Sequence, residues 1–134
     1  MTKKIVITGG LGYIGTELCK IYSGISWNNE ILVIDNRFVS ERVNQLRNWD
    51  INFVHGDILD KDLVNKYCKD ADIVHHLAGI TDVPRVKSES NDKTNAKIKL
   101  VAEEGTQNIL DAINDKCKII FPSTHVVYEG IEKI

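Results

Sequence analysis

Apolar residues in this chain fall into short runs separated by longer stretches in which they recur at helical spacing. Ile5-Val6-Ile7 is a β-branched run with the composition of a strand buried on both faces. Four further segments read the same way: Glu30–Asp35, Ile51–His55, Asp72–Gly79 (a strand and its exit) and Lys118–Phe121. Between them the period changes. Thr16–Tyr22 and Glu41–Trp49 are helix-like, the second with Val43, Leu46 and Arg47 at helical spacing. Lys61–Cys68 follows Asp60, a helix-capping residue, and puts Leu63, Val64 and Tyr67 on one face. Residues 80–92 are polar, with Pro84 and several serines, and read as a loop. A long helix is predicted over 94–114, with Ile98, Val101, Ala102, Gly105, Ile109, Leu110 and Ile113 as its apolar stripe. Glycine inside a helix costs about 1 kcal/mol relative to alanine, so Gly105 is expected to mark a close approach to another backbone.

Five short strands alternating with helices predict an α/β domain, a Rossmann-type doubly wound parallel sheet ordered 3-2-1-4-5 with helices on both faces. Such a sheet binds ligands outside the C-terminal ends of its strands, at the switch in strand order between strands one and four. The segments predicted to meet there carry the candidate chemistry. Gly9, Gly10, Gly12 and Gly15 follow the first strand and precede a helix. That context turns a G-x-G-x-x-G spacing into a dinucleotide-binding expectation: a pyrophosphate rests on unpaired amides at a helix N-terminus, and side chains there would hold it off. Asp35 ends the second strand, twenty residues beyond Gly15. A carboxylate at that place can accept both ribose hydroxyls of an adenosine and repels a 2′-phosphate, which favours NAD over NADP. Arg37, two residues on, keeps NADP open as the alternative, because its guanidinium could swing toward a 2′-phosphate.

The remaining composition narrows the class. The chain has 134 residues, 43% hydrophobic, enough for one core and one domain spanning 1–134. A net charge of −2 gives no electrostatic case for nucleic acid. Cys19, Cys68 and Cys117 are odd in number, far apart and without a C-x-x-C pair, which argues for reduced thiols in the cytoplasm and against zinc. A strand begins within four residues of Met1, which leaves no room for a signal peptide, and no apolar run approaches the roughly 20 residues of a membrane span. His75 and His76 are adjacent in a strand and point to opposite faces, so packing or hydrogen bonding is expected of them rather than a shared metal.

Six motifs in order resemble the extended short-chain dehydrogenase/reductase family, the NAD-dependent nucleotide-sugar epimerases and dehydratases: TGGLGYIG at 8–15, VIDN at 33–36, HGDI at 55–58, HLAG at 76–79, GTQNILDA at 105–112 and STHVVYEG at 123–130. The resemblance implies roles residue by residue. Gly9, Gly12 and Gly15 would form the phosphate loop, with Tyr13 and Ile14 donating backbone amides to the pyrophosphate. Asp35 and Asn36 would hold the adenosine ribose; Asp57 would bond the adenine amino group and Ile58 would lie against the ring. Leu77, Ala78 and Gly79 would line the path to the nicotinamide. Thr124, four residues before Tyr128, stands where the family has its catalytic serine or threonine, and its hydroxyl would bond the sugar oxygen; a strand-end hydroxyl satisfying nearby backbone is the plain alternative.

The chain also departs from the family. No tyrosine has a lysine four residues on, the arrangement that lowers the catalytic tyrosine's pKa: Tyr13, Tyr22, Tyr67 and Tyr128 are followed at that interval by Glu17, Ser26, Ala71 and Glu132. Ala102 and Val101 stand where the family has an asparagine before its Gly-Thr pair. The sixth and seventh strands and the substrate domain of the family have no counterpart in the sequence. The expectation is the NAD-binding portion of a nucleotide-sugar epimerase or dehydratase, inactive by itself, with a non-catalytic NAD(P)-binding module as the second reading. The nucleotide-sugar partner belongs to a full-length parent. A homodimer through the 94–114 helix is a further expectation from the family.

Overall fold

The computed structural model describes residues 2–25, 28–80 and 92–123. Its elements run β1 (Lys3–Thr8), α1 (Tyr13–Ser23), β2 (Asn29–Asp35), α2 (Ser40–Asn48), β3 (Asn52–His55), α3 (Lys61–Cys68), β4 (Ile73–His76), α4 (Asp92–Leu100), a π-helical turn (Val101–Gly105), α5 (Thr106–Ala112) and β5 (Lys118–Ile120). The strands form one sheet in the predicted order β3-β2-β1-β4-β5, and every pairing is parallel. Ile5, Val6 and Ile7 of the central strand have no exposed surface, as a strand covered on both faces requires.

Alternate residues of the strands feed two cores. Ile5, Ile7, Ile31 and Val33 pack with Cys19 of α1 and with Val43 and Leu46 of α2. Val6, Leu32, Ile34 and Val74 pack with Val64 and Cys68 of α3 and Ile109 of α5. Each such side chain contributes about 1.5–3 kcal/mol when fully removed from water. Asp60 caps α3 as predicted, accepting the N–H of Leu63 at 3.1 Å.

Strand β4 spans Ile73–His76, and Leu77–Gly79 form its exit, as expected. Three expectations need correction. Helix α1 starts at Tyr13 rather than Thr16, because extended Gly12 serves as its N-cap and directs the chain straight into helix. The long helix is interrupted: the π turn at Val101–Gly105 inserts extra residues into the helical winding, and one extra residue rotates the following face by about 100°. Of the expected stripe, Ala102 and Leu110 are exposed, while Gly105 and Ile109 are buried. Gly105 approaches a side chain rather than a backbone: a β-carbon there would lie 2.4 Å from Ile58 Cδ1.

Candidate dinucleotide-binding cleft

A cleft of about 430 Å³ opens at the C-terminal ends of β1, β2, β3 and β4. Its lining includes Gly9 and Gly12 of the glycine loop, Asp35, Asn36 and Arg37 after β2, Asp57 and Ile58 after β3, and Leu77, Ala78 and Gly79 after β4. Four separate sequence segments thus converge where the strand order reverses.

The glycine loop is shaped by close contacts. Gly9 has φ +69°, and a β-carbon on it would fall 2.8 Å from the Ala78 amide nitrogen, so only glycine fits between β1 and the β4 exit. Gly15 packs on the loop itself, its β-carbon position lying 2.6 Å from Gly10 Cα. Gly12 differs from both. A β-carbon there meets only the Gly9 carbonyl oxygen, at 3.3 Å, and otherwise faces open space. The first backbone bond of α1 runs from the Thr16 N–H to the Gly12 carbonyl, at 2.9 Å. Tyr13, Ile14 and Gly15 precede that bond, so their amides have no carbonyl partner within the helix and constitute its anion-attracting end.

Asp35 is buried, and both of its carboxylate oxygens already accept backbone amides. Oδ2 takes the Leu11 N–H at 3.0 Å and Oδ1 the Arg37 N–H at 2.9 Å. Each oxygen of an ionised carboxylate can accept a second bond, so acceptor capacity remains toward the cleft. The Arg37 guanidinium is mostly exposed, and its Nε lies 4.0 Å from Asp35 Oδ1. Asp57 is fixed similarly: its Oδ1 accepts the Leu59 N–H at 2.9 Å and its carbonyl the Asp60 N–H at 3.0 Å.

Behind the cleft wall, Thr8 anchors the β4 exit. Its hydroxyl oxygen accepts the N–H groups of Leu77 and Ala78, both at 3.1 Å. With both lone pairs used, its proton must go to His76 Nδ1, 2.8 Å away. The other ring nitrogen of His76 then carries hydrogen and donates to Thr106 Oγ1 at 2.9 Å. His76 is buried and neutral in this arrangement, and burial holds its pKa below the usual 6.5. His75 points to the opposite face, where Nε2 meets the Tyr22 hydroxyl at 2.7 Å; burial lowers its pKa as well. The pair are hydrogen-bonding histidines, as expected, and among the described residues no cluster of three metal-ligating side chains occurs.

A match to the 3-beta hydroxysteroid dehydrogenase/isomerase family spans residues 6–133. The chain belongs to this family. It thereby joins the extended short-chain dehydrogenase/reductases that its motifs resemble. CDP-paratose 2-epimerase of Salmonella typhi is 33% identical over 142 residues, covering 97% of this chain and 39% of the epimerase. A solved UDP-N-acetylglucosamine 4-epimerase from Methanobrevibacter ruminantium M1, in complex with UDP-N-acetylmuramic acid, superposes with TM-score 0.75 at 26% identity, over 99% of this chain and 42% of its own. UDP-glucose-4-epimerase of Stenotrophomonas maltophila, solved with bound NAD and formylated UDP-arabinopyranose, gives TM-score 0.75 at 22% identity over 98% and 40%, which is a likeness of fold. The chain spans about two-fifths of the length of these relatives.

Ten of the fourteen expected site residues line the cleft; three stand elsewhere and one lies outside the described residues. The side chains of Tyr13 and Ile14 are 85% and 67% exposed and, with Leu18 and Ile21, form a separate apolar surface on α1, so only their backbone can serve an anion. Gly15 is buried within the loop. Thr124 is outside the described residues, as are Tyr128 and residues 81–91, over which a loop is expected. Sequence reasoning missed Arg42, whose Nη1 donates to the Leu11 carbonyl and whose guanidinium lies 5.4 Å from the Tyr13 ring centroid. It also missed Lys97 and Val101, which close the cleft from the long helix. A surface-helix arginine or lysine carries no local signal of such a contact. The missing asparagine did have one: Val101 stands at one of its two family positions and supplies an apolar wall instead.

Proposed function

We propose that this chain is the NAD-binding portion of a nucleotide-sugar epimerase or dehydratase. The observation that carries the reading is the open space at Gly12 beside the first amides of α1, which have no partner among the described residues, a cradle that a β-carbon would begin to fill. The residues present fit a dinucleotide. The amides of Tyr13 and Ile14 would receive the pyrophosphate, with Gly9 and Gly12 leaving it room and Gly15 holding the loop against the helix. Asp35 would accept ribose hydroxyls with the capacity left on its two oxygens, next to Asn36. Asp57 would accept the adenine amino group, Ile58 would cover the ring, and Leu77, Ala78 and Gly79 would line the way to the nicotinamide. The NAD bound in the Stenotrophomonas epimerase supports the choice of cofactor. Asp35 facing Arg37 favours NAD over NADP, because a 2′-phosphate would have to displace an existing charge contact.

Bound NAD+ supplies a hydride acceptor for a sugar carbon. This chain's own contribution is binding and orientation, and in the parent Thr124 would hold the sugar oxygen. A base is not among its tyrosines, none of which has a lysine four residues on. Cys19 and Cys68 do not serve either, since burial pushes their thiols up to about 12 and about 11. The three free cysteines fit a reducing, cytoplasmic setting, and among the described residues no helix is long and apolar enough to cross a membrane. A homodimer through the 94–114 helix is supported by the exposure of Leu100 and Leu110. Titrating the chain into NADH tests the central reading: nicotinamide fluorescence should change and saturate at one NADH per chain. An unchanged spectrum at high chain concentration would refute it.

A further inference from the structure

The GTQNILDA segment is the one motif that the cofactor reading leaves without a task. Its first residue, Gly105, closes the π turn and is buried. The β-carbon position of Gly105 lies 2.4 Å from Ile58 Cδ1 and 2.9 Å from Ile58 Cγ1, so the missing side chain is the space in which Ile58 rests. Three residues later, Asn108 reaches the same residue from the same helix: its Nδ2 donates to the Ile58 carbonyl at 2.9 Å, across fifty positions of sequence. π turns cluster at sites where a helix must serve a function at the cost of regular winding.

Among the described residues, the other hydrogen bonds of the turn that Asn108 grips come from β2 and from the turn itself. The Gly56 N–H donates to the Asp35 carbonyl at 3.0 Å, Leu59 to Asp57 Oδ1, and Asp60 to the Asp57 carbonyl. These bonds fix Asp57 relative to β2 and to its own loop. Among the described side chains Asn108 alone hydrogen-bonds the 58–59 peptide from the helical layer, and the N–H of that same peptide, on Leu59, holds Asp57 Oδ1. Asp57 Oδ2 takes no bond from the described residues, and Asp57 lines the cleft.

We propose that Asn108 is a positioning residue for base selection: through the Ile58 carbonyl it sets the angle at which Asp57 Oδ2 meets the base, and Gly105 gives Ile58 the depth to lie flat beneath it. This rests on the cofactor reading above, in which Asp57 accepts a hydrogen bond from the purine. A carboxylate acceptor fixed in place selects a six-amino purine, which donates there, over a six-oxo purine, which presents another acceptor. Without Asn108 the 58–59 peptide can tilt, its N–H no longer fixes Asp57 Oδ1, and the carboxylate can turn away from an opposing oxygen. Discrimination is then lost more completely than affinity.

Asn114 provides a matched control. It also sends an Nδ2–H, from two residues beyond the end of α5, to a backbone carbonyl, that of Lys69 at 3.1 Å, but away from the cleft. The test is titration calorimetry of the 134-residue chain, Asn108→Ala and Asn114→Ala with NAD+ and with its hypoxanthine analogue. The unmutated chain should prefer NAD+ by tenfold or more. In Asn108→Ala the ratio should fall to within about twofold of one, whereas Asn114→Ala should keep it, whatever either does to the melting temperature. An unchanged ratio in Asn108→Ala, or an equal fall in Asn114→Ala, overturns the proposal. Should Asn108→Ala not fold, the ratio is read on Asn108→Ser, whose hydroxyl is too short to reach the carbonyl: a fall supports the proposal and an unchanged ratio overturns it. An unmutated chain that binds neither dinucleotide refutes the cofactor reading and the proposal with it. One that binds both equally refutes the proposal alone.

Discussion

Asp35 and Leu11 are joined by a hydrogen bond from the Leu11 amide to the Asp35 carboxylate, 3.0 Å long and buried. On the other side of the same residue, the Leu11 carbonyl accepts from Arg42. The glycine loop is thus held on both sides of one residue, by the strand-end acid expected to read the ribose and by a helix cation. The acid has a structural task and a binding task at once.

That relationship predicts a double effect for Asp35→Ala. Removing the carboxylate leaves the Leu11 and Arg37 amides without their acceptor, which costs about 1–3 kcal/mol for a buried donor. NAD+ binding should weaken by a similar order, about 1–3 kcal/mol, from the lost ribose bonds. Urea denaturation and calorimetry on the same variant separate the two. A loss of affinity with unchanged unfolding would show that the Leu11 bond carries no stability.

The loop glycines should divide by position. Gly12→Val should fold and fail to bind a dinucleotide, since its side chain would stand in the open space that the phosphate needs. Gly9→Val should instead destabilise the chain by about 3 kcal/mol or more, from a positive φ and a clash with the Ala78 backbone. Circular dichroism melts with NADH fluorescence on both variants check this. Normal binding by a folded Gly12→Val would reduce the loop to an ordinary turn.

Two buried imidazoles give the chain an acid-sensitive fold. Their usual pKa is 6.5, and folding holds both below it by desolvation. The unfolded chain therefore takes up protons first as pH falls. Their contribution is fully present above about pH 6.5 and is lost progressively below it, toward the folded values. The urea midpoint should drop between pH 7.5 and 5.5, above the range where most carboxylates titrate. His76→Gln should be less stable at pH 7.5, with a smaller drop. An equal drop in the variant would remove His76 from the account.

The chain alone should turn over no nucleotide sugar. It supplies no tyrosine with a neighbouring lysine at the family interval, and it spans about two-fifths of its relatives. Incubation with NAD+ and a panel of CDP-, UDP- and dTDP-sugars should give no sugar product and no NADH absorbance. Turnover abolished by Thr124→Ala would contradict this.

Much of the architecture was legible because it rests on local patterns. The β-branched run at Ile5–Ile7, the alternation of strand and helix periods and the Asp60 cap each follow from residues close in sequence, and the parallel order follows from crossover rules. The interval from Gly15 to Asp35 likewise identified an acid at the cleft. The π turn at Val101–Gly105 was not legible, since a stripe read at 3.6 residues per turn assumes unbroken winding. Arg42 and Asn108 were missed for another reason. Their partners are backbone carbonyls 31 and 50 residues away, and a carbonyl looks the same at every position of a sequence.

Titration calorimetry of the unmutated chain against NAD+ and NADP+ tests the central claim most directly. One site per chain is predicted, with NAD+ tighter by at least tenfold, about 1.4 kcal/mol, because Asp35 lies 4.0 Å from the Arg37 nitrogen that a 2′-phosphate would need. Tighter binding of NADP+, or no heat with either dinucleotide, would contradict it.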